Sequence, residues 1–193
     1  MKNLILTLLL LVGFIGFAQT NYKTNTENAI LKWKGFKPTG SHYGTINLKD
    51  GFFTIKNNKI VGGEFIIEMN SIVNLDLAAD NAYNKKLVDH LKSNDFFDVT
   101  TYPTAKFIIN SSEEKEGKTL IKGKLTLKDK TNPVEFLATV TIDGNKLDFK
   151  SDTFKIDRSK WNVTYKSKSF FNDLKDKFID DEMELTVEVK ASK

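Results

Sequence analysis

His42 and His90 are the two imidazoles of this chain, and it contains no cysteine. A protein metal centre draws three or four ligands from His, Cys and carboxylates at usable spacing. No His-x-His or His-Glu-x-x-His pattern occurs here, so neither a metal nor a cofactor is expected. A hydrolytic triad could be written from Asp89, His90 and Ser93. Adjacent residues on a helix project to different sides, however, so Asp89 could not orient the imidazole beside it. There is no Gly-x-Ser-x-Gly elbow and no phosphate-cradling glycine loop. The Asp180-Asp181-Glu182 run falls where a solvated loop should lead into a last strand. Arg158 is the only arginine. A guanidinium is the fork that grips phosphate bidentately, so Arg158 is the candidate for an anionic headgroup, its other role being that of a loop-ordering cation. The same scarcity argues against nucleic acid as a partner. The net charge of +4 comes mostly from lysines interleaved with Glu and Asp, the pattern of a solvated surface.

The elements that must position these groups are strands. Val134, Phe136, Ala138, Val140 and Ile142 alternate with polar residues, broken only by Leu137, as a half-buried strand requires. Asp143-Gly144-Asn145 turns the chain, and Leu147 and Phe149 resume the apolar face. Leu185, Val187 and Val189 form a closing strand. Ile121, Leu125 and Leu127 form another, as do Phe107 and Ile109. In the first half, Ile46 with Leu48, Phe53 with Ile55, and Phe65, Ile67 and Met69 make three runs, with Asn57-Asn58 turning between the last two. Gly62-Gly63 suggests a bulge or bend. With Ile30 to Trp33 as an opening strand the count reaches about eight, at which an antiparallel sheet closes into a small barrel. The fold class is therefore all-β, an eight-stranded antiparallel lipocalin-like barrel with one or two short helices. One helix spans Asn81 to Ser93 with Tyr83, Leu87, Val88 and Leu91 on its apolar arc; Ser169 could cap a second containing Phe170, Phe171, Leu174 and Phe178. Glu113 to Gly117 reads as an exposed hairpin loop.

Fifteen phenylalanines concentrate on these runs. Aromatic stripes are usually core, yet a closed eight-stranded barrel either fills its interior or leaves room for one ligand. Alternation alone does not choose between these. If a ligand is held, Phe65, Ile67, Phe107, Ile109, Phe136, Val140 and Phe149 are the inward positions expected to line it.

Residues 1–18 read as a secretory leader. Lys2 gives a positive start, Leu4 to Phe17 is almost wholly apolar, and Gly16 and Ala18 place small residues before a cut that leaves Gln19 first. The apolar run is short for a membrane span, so no stable membrane anchor is expected. Residues 19–193 are enough for one domain with one core. Without cysteine, export brings no disulfide.

The stretch Asp89-His90-Leu91-Lys92-Ser93-Asn94-Asp95-Phe96-Phe97-Asp98, followed by Tyr102-Pro103-Thr104-Ala105-Lys106-Phe107, closely resembles the signature of the YceI-like family. Ile60 to Ile72, Gly123 to Phe136 and His42-x-Gly44 match in register around it, so the resemblance spans nearly all of the mature chain. It implies a lipocalin-like barrel, export to the periplasm, a long isoprenoid lipid in an apolar channel, and often a homodimer. Arg158-Ser159-Lys160-Trp161 and Phe170-Phe171 look like a variant of some members and leave the lipid open between a quinone and an isoprenyl phosphate. The motif also has a structural role: Ser93 or Asn94 caps a turn, Phe96 and Phe97 anchor it, and Pro103 favours an extended entry into the next strand. The leading expectation is thus a periplasmic, or else extracellular, binding protein for an isoprenoid. The alternatives are an enzyme acting on such a lipid through His42 or His90, and a ligand-free barrel with a filled core.

Overall fold

The computed structural model describes residues 19–193; the leader lies outside them. Ten strands form one antiparallel sheet: β1 Thr20–Thr24, β2 Ile30–Lys37, β3 Gly40–Lys56, β4 Lys59–Asn74, β5 Thr104–Lys115, β6 Lys118–Leu127, β7 Lys130–Asp143, β8 Lys146–Ser151, β9 Phe154–Asp157 and β10 Glu182–Ser192. Neighbours pair in the order β10-β2-β3-β4-β5-β6-β7-β8, and β8 returns to β10. Eight strands therefore close in a ring, which removes sheet edges. The lower half of β10, Glu188 to Ser192, pairs with β8, while Glu182 to Leu185 pair with β9. The seam between β8 and β9 is bridged where Ser151 Oγ accepts from Val187 N at 2.8 Å. The short β1, which alternation does not reveal, pairs with β3 and the end of β10. It is fastened by Tyr22 Oη, which donates to Gly144 O at 2.8 Å.

The alternating runs become strands as expected, but the first two merge. Ile46-Leu48 and Phe53-Ile55 lie on one 17-residue strand, β3, because the chain between them keeps pairing with β4 through a register shift between Leu48 and Asp50 and does not turn. With 16 residues in β4, these strands are about 50 Å long at the usual rise per residue, so the barrel is elongated. A second shift, between Thr54 and Ile55, places Val61 as the extra residue beside Gly62, the bulge anticipated there. Asn57 and Asn58 both adopt positive φ (51° and 60°), the conformation a two-residue hairpin turn needs. Glu116-Gly117 does the same at φ 54° and 73°, so β5 runs on to Lys115 and the expected loop shrinks to two residues.

One helix forms, α1, Ala82–Lys92, capped by Asn81, whose side chain accepts from Tyr83 N. Its inward face is turned from the expected arc: Tyr83 is 73% exposed, whereas Asn84 and Leu91 are buried. Asn84 Nδ2 explains the rotation, since it donates to Leu77 O (2.8 Å) and Ala78 O (3.3 Å) in the segment that joins the helix to β4. The second expected helix does not form. Ser169 Oγ donates to Asp181 Oδ2 at 2.7 Å and does not cap a helix, Asp173 and Lys175 take positive φ, and only a three-residue 3-10 turn occurs at Lys175–Lys177. Phe170 and Phe171 are therefore exposed, at 59% and 50%.

Two apolar clusters divide the interior. The lower includes Phe53, Ile55, Ile60, Ile121, Leu147, Phe149 and Ala191 and closes one end. The upper joins Trp33, Met69, Ile72, Leu91, Phe96, Phe97, Trp161 and Val163, so α1, the motif after it and the crossing from Arg158 to Asp181 cover the other end.

Candidate ligand cavity

Between the two clusters lies a cavity of about 170 Å³. Every strand of the ring contributes inward residues at alternate positions: Leu31 and Trp33 from β2, Phe65, Ile67 and Met69 from β4, Ala105, Phe107 and Ile109 from β5, Met183 to Val189 from β10. Lys32 and Thr186 touch it from paired positions on β2 and β10; each lies between inward neighbours, so its side chain faces out. The wall is therefore hydrocarbon and aromatic ring throughout. Phe136 stacks on Phe154 at 4.2 Å, and Phe53 meets Phe65 at 4.8 Å and Phe149 at 5.1 Å. Such rings pave a surface at low conformational entropy. They fit because glycines lie opposite: a methyl on Gly51 would come within 2.6 Å of the Phe65 ring, and one on Gly123 within 2.5 Å of the Phe107 ring.

Six of the expected positions, Phe65, Ile67, Phe107, Ile109, Phe136 and Phe149, meet at this wall. Val140 does not. It is half-buried near the closed end, where it packs against the lower cluster and with Ile60 and Ile142 lines a separate cleft. Arg158 is also outside the cavity. It is 3% exposed, and its guanidinium donates to three carbonyls, Asp180 O (3.0 Å), Val163 O (2.5 Å) and Ile179 O (2.9 Å). Asp181 Oδ1 lies 3.4 Å from Nη2, and the Phe96 ring lies 5.7 Å away. Burial lowers the pKa of Arg158, opposed by Asp181, Asp157 and Asp180. Three of the five N–H donors of the fork thus order the crossing, and the side chain also lines a smaller pocket above the cavity.

A smaller pocket of about 90 Å³ sits above the cavity, under α1 and the crossing, and shares Trp33, Phe97 and Met183 with it. These three form the neck between barrel and mouth. Sequence reasoning placed Trp33 on an opening strand and Phe97 as an anchor but gave neither a place in a neck. The signal that would have helped, the pairing of Trp33 with Gly44, depends on register. His42 borders the mouth, and its Nδ1 is 2.8 Å from Asp76 Oδ2. Burial tends to raise the Asp76 pKa, but hydrogen bonds from Tyr43 N, His42 and Asn74 outweigh it and hold the carboxyl below its ordinary value. His90 lies outside both spaces, 3.1 Å from Asp95 and edge-on to Phe96 and Tyr165. The two imidazoles do meet at one outer cleft beside α1.

The sequence matches the YceI-like domain over residues 22–191. The chain belongs to the YceI-like family. A UPF0312 protein of Pseudomonas putida strain W619 is 30% identical over 141 residues, 72% of this chain and 70% of its own. Among solved structures, Burkholderia cenocepacia BcnA superposes with a TM-score of 0.65 at 20% identity, covering 88% of this chain and 99% of that one. A polyisoprenoid binding domain from Saccharophagus degradans gives 0.63 at 11% identity, covering 89% and 97%. The YceI-like motif has the structural part expected of it. Ser93 Oγ donates to His90 O at 2.8 Å, Ser93 O accepts from Asp98 N at 2.8 Å, Phe96 and Phe97 are buried, and Pro103 O accepts from Met69 N at 3.0 Å just before β5.

Proposed function

We propose that this protein is a periplasmic carrier or reservoir that holds one isoprenoid lipid along the barrel axis. The observation that carries the reading is the cavity: it runs from Phe149 and Val189 near the closed end to Trp33, Phe97 and Met183 at the neck, and its wall is apolar throughout. Burial of an apolar chain there is favourable at about 25 cal/mol per Å², and a long narrow space suits a flexible chain better than a compact ring system. The isoprenoid class is supported by the Saccharophagus neighbour, and export by the leader in residues 1–18. Binding is favoured over turnover because general acid–base catalysis needs an ionisable group within hydrogen-bond reach, and the wall offers carbon. Among the described residues no helix is long and apolar enough to cross a membrane.

The test fills the cavity from β10. Val187 lines it and is half-buried, so Val187→Trp should fold with little loss of thermal stability and co-purify with much less lipid, read by mass spectrometry of an organic extract. Thr139→Trp, on the exposed outer face, should keep its lipid. In a filled interior the same Val187→Trp change would overpack at a cost of about 1–3 kcal/mol or more. Strong destabilisation, or a stable variant still fully loaded, overturns the proposal.

A further inference from the structure

We propose that the loop carrying Phe170 and Phe171 is a reversible docking surface for an anionic lipid bilayer, and that it sets the open end of the barrel against the membrane. The loop is an ordered structure. Its base is closed where Ile179 N donates to Lys166 O at 2.9 Å, and Phe170 N and Phe171 N both donate to Ser167 O, at 3.2 and 3.0 Å. Ser167 is fully buried, and Ser169 Oγ is tied to Asp181. A segment of this length with its ends together is a compact Ω-loop. Leu174 and Phe178 are half-buried in it, while Phe170 and Phe171 stand exposed side by side. Single exposed apolar side chains are ordinary, but adjacent rings rimmed by polar residues mark an interaction site.

Charge identifies the occupant. Lys166, Lys168, Lys175 and Lys177 flank the two rings on both sides, against only Asp173 and Asp176. Lysines of the barrel wall such as Lys106, Lys118, Lys122 and Lys150 pair with carboxylates. Among the described residues none of the four loop lysines does so; Lys168 Nζ lies instead over the Phe178 ring, 3.2 Å from its centroid, and Lys166 Nζ over that of Tyr165. Apolar rings edged by uncompensated ammonium groups match the acyl boundary and the anionic headgroups of a bilayer. Position agrees with this. The crossing that bears the loop covers the open end, where Ile179 and Asp180 line the pocket above the neck. Leu75 and Tyr83, also exposed, lie at that end too, after β4 and in the first turn of α1. At the closed end the turns at Asn57-Asn58, Glu116-Gly117 and Gly144-Asn145 are polar and exposed. Neither Phe170 nor Phe171 lines the cavity or the pocket above it, so the surface does not depend on what the barrel holds.

The experiment uses residues 19–193, which carry the whole described fold and leave out the apolar run from Leu4 to Phe17. The protein is sedimented with vesicles of equal parts phosphatidylcholine and phosphatidylglycerol, and with vesicles of phosphatidylcholine alone. It should bind the mixed vesicles more tightly, and less so as salt is raised. Phe170→Ser with Phe171→Ser should weaken that binding about tenfold or more, the share that burial of two rings supplies, at an unchanged melting temperature. Ile108→Ser, which removes an exposed apolar side chain from the barrel wall, should leave binding unchanged. In Phe171→Trp the emission should shift to the blue on mixed vesicles, because Trp33 and Trp161 are already buried. Absence of binding, equal binding to both vesicles, a double variant that binds like the wild type, or an unshifted Phe171→Trp emission overturns the proposal. Self-association that the double variant abolishes, without vesicle binding, overturns it in favour of a second copy of the chain. The carrier reading is tested apart from this, by lipid retention: a protein that keeps its lipid yet ignores vesicles loses the docking surface alone.

Discussion

Arg158 shows how a side chain's chemistry can be set aside by its surroundings. A lone arginine in a lysine-rich chain invites the reading of a phosphate grip, but three backbone carbonyls and Asp181 take up the fork. Breaking a buried pair by removing one partner is costly, because the remaining groups lose their only compensation. Arg158→Gln should therefore lower unfolding stability by about 3–5 kcal/mol, measured by urea denaturation. The lipid bound per folded molecule should stay near the wild-type level. A variant of unchanged stability that selectively loses an anionic lipid would return Arg158 to the ligand.

Between strands, glycines decide which faces can approach. Gly44 lies so close to Val73 O that a methyl would sit 1.8 Å away, whereas Gly35, in the same β2–β3 pair, has nothing within 4 Å. Gly44→Ala should destabilise by about 3 kcal/mol or more, the upper range of overpacking, and disturb the indole at the neck. Gly35→Ala should cost under about 1 kcal/mol, and comparable urea midpoints for the two variants would contradict the packing argument. These close approaches also mark what could be read from sequence. Alternation located the inward residues of β4 to β8 and β10 because period two is a local property. It split or missed elements where pairing decides the outcome: the runs Ile46-Leu48 and Phe53-Ile55 belong to one strand whose register shifts between Leu48 and Asp50, and β1 has too few residues to show a period. Ser169 resembles a cap, yet its hydroxyl goes to Asp181 twelve residues away. The six clustered wall positions were legible for the same reason. The neck was not, since Trp33, Phe97 and Met183 come together only through closure of the ring.

At the scale of the whole molecule, the ring has one seam, and β10 fills it. That strand pairs with β2 on one side, with β8 and β9 on the other, and with β1 at its end. Deleting Glu182–Ser192 should abolish the cooperative unfolding transition and leave a chain that binds a hydrophobic dye, as partly folded states with exposed apolar surface do. A truncated protein that still melts cooperatively would show that the remaining strands suffice. The strand that completes the barrel is the last of the ten in chain order, and its partners lie far from it in sequence as well as near. Native topology is thus out of reach until β10 docks, and non-local pairing of this kind is slow. A chain in which β10 has not docked would therefore present two unpaired edges, those of β2 and β8, the kind of edge that recruits other strands.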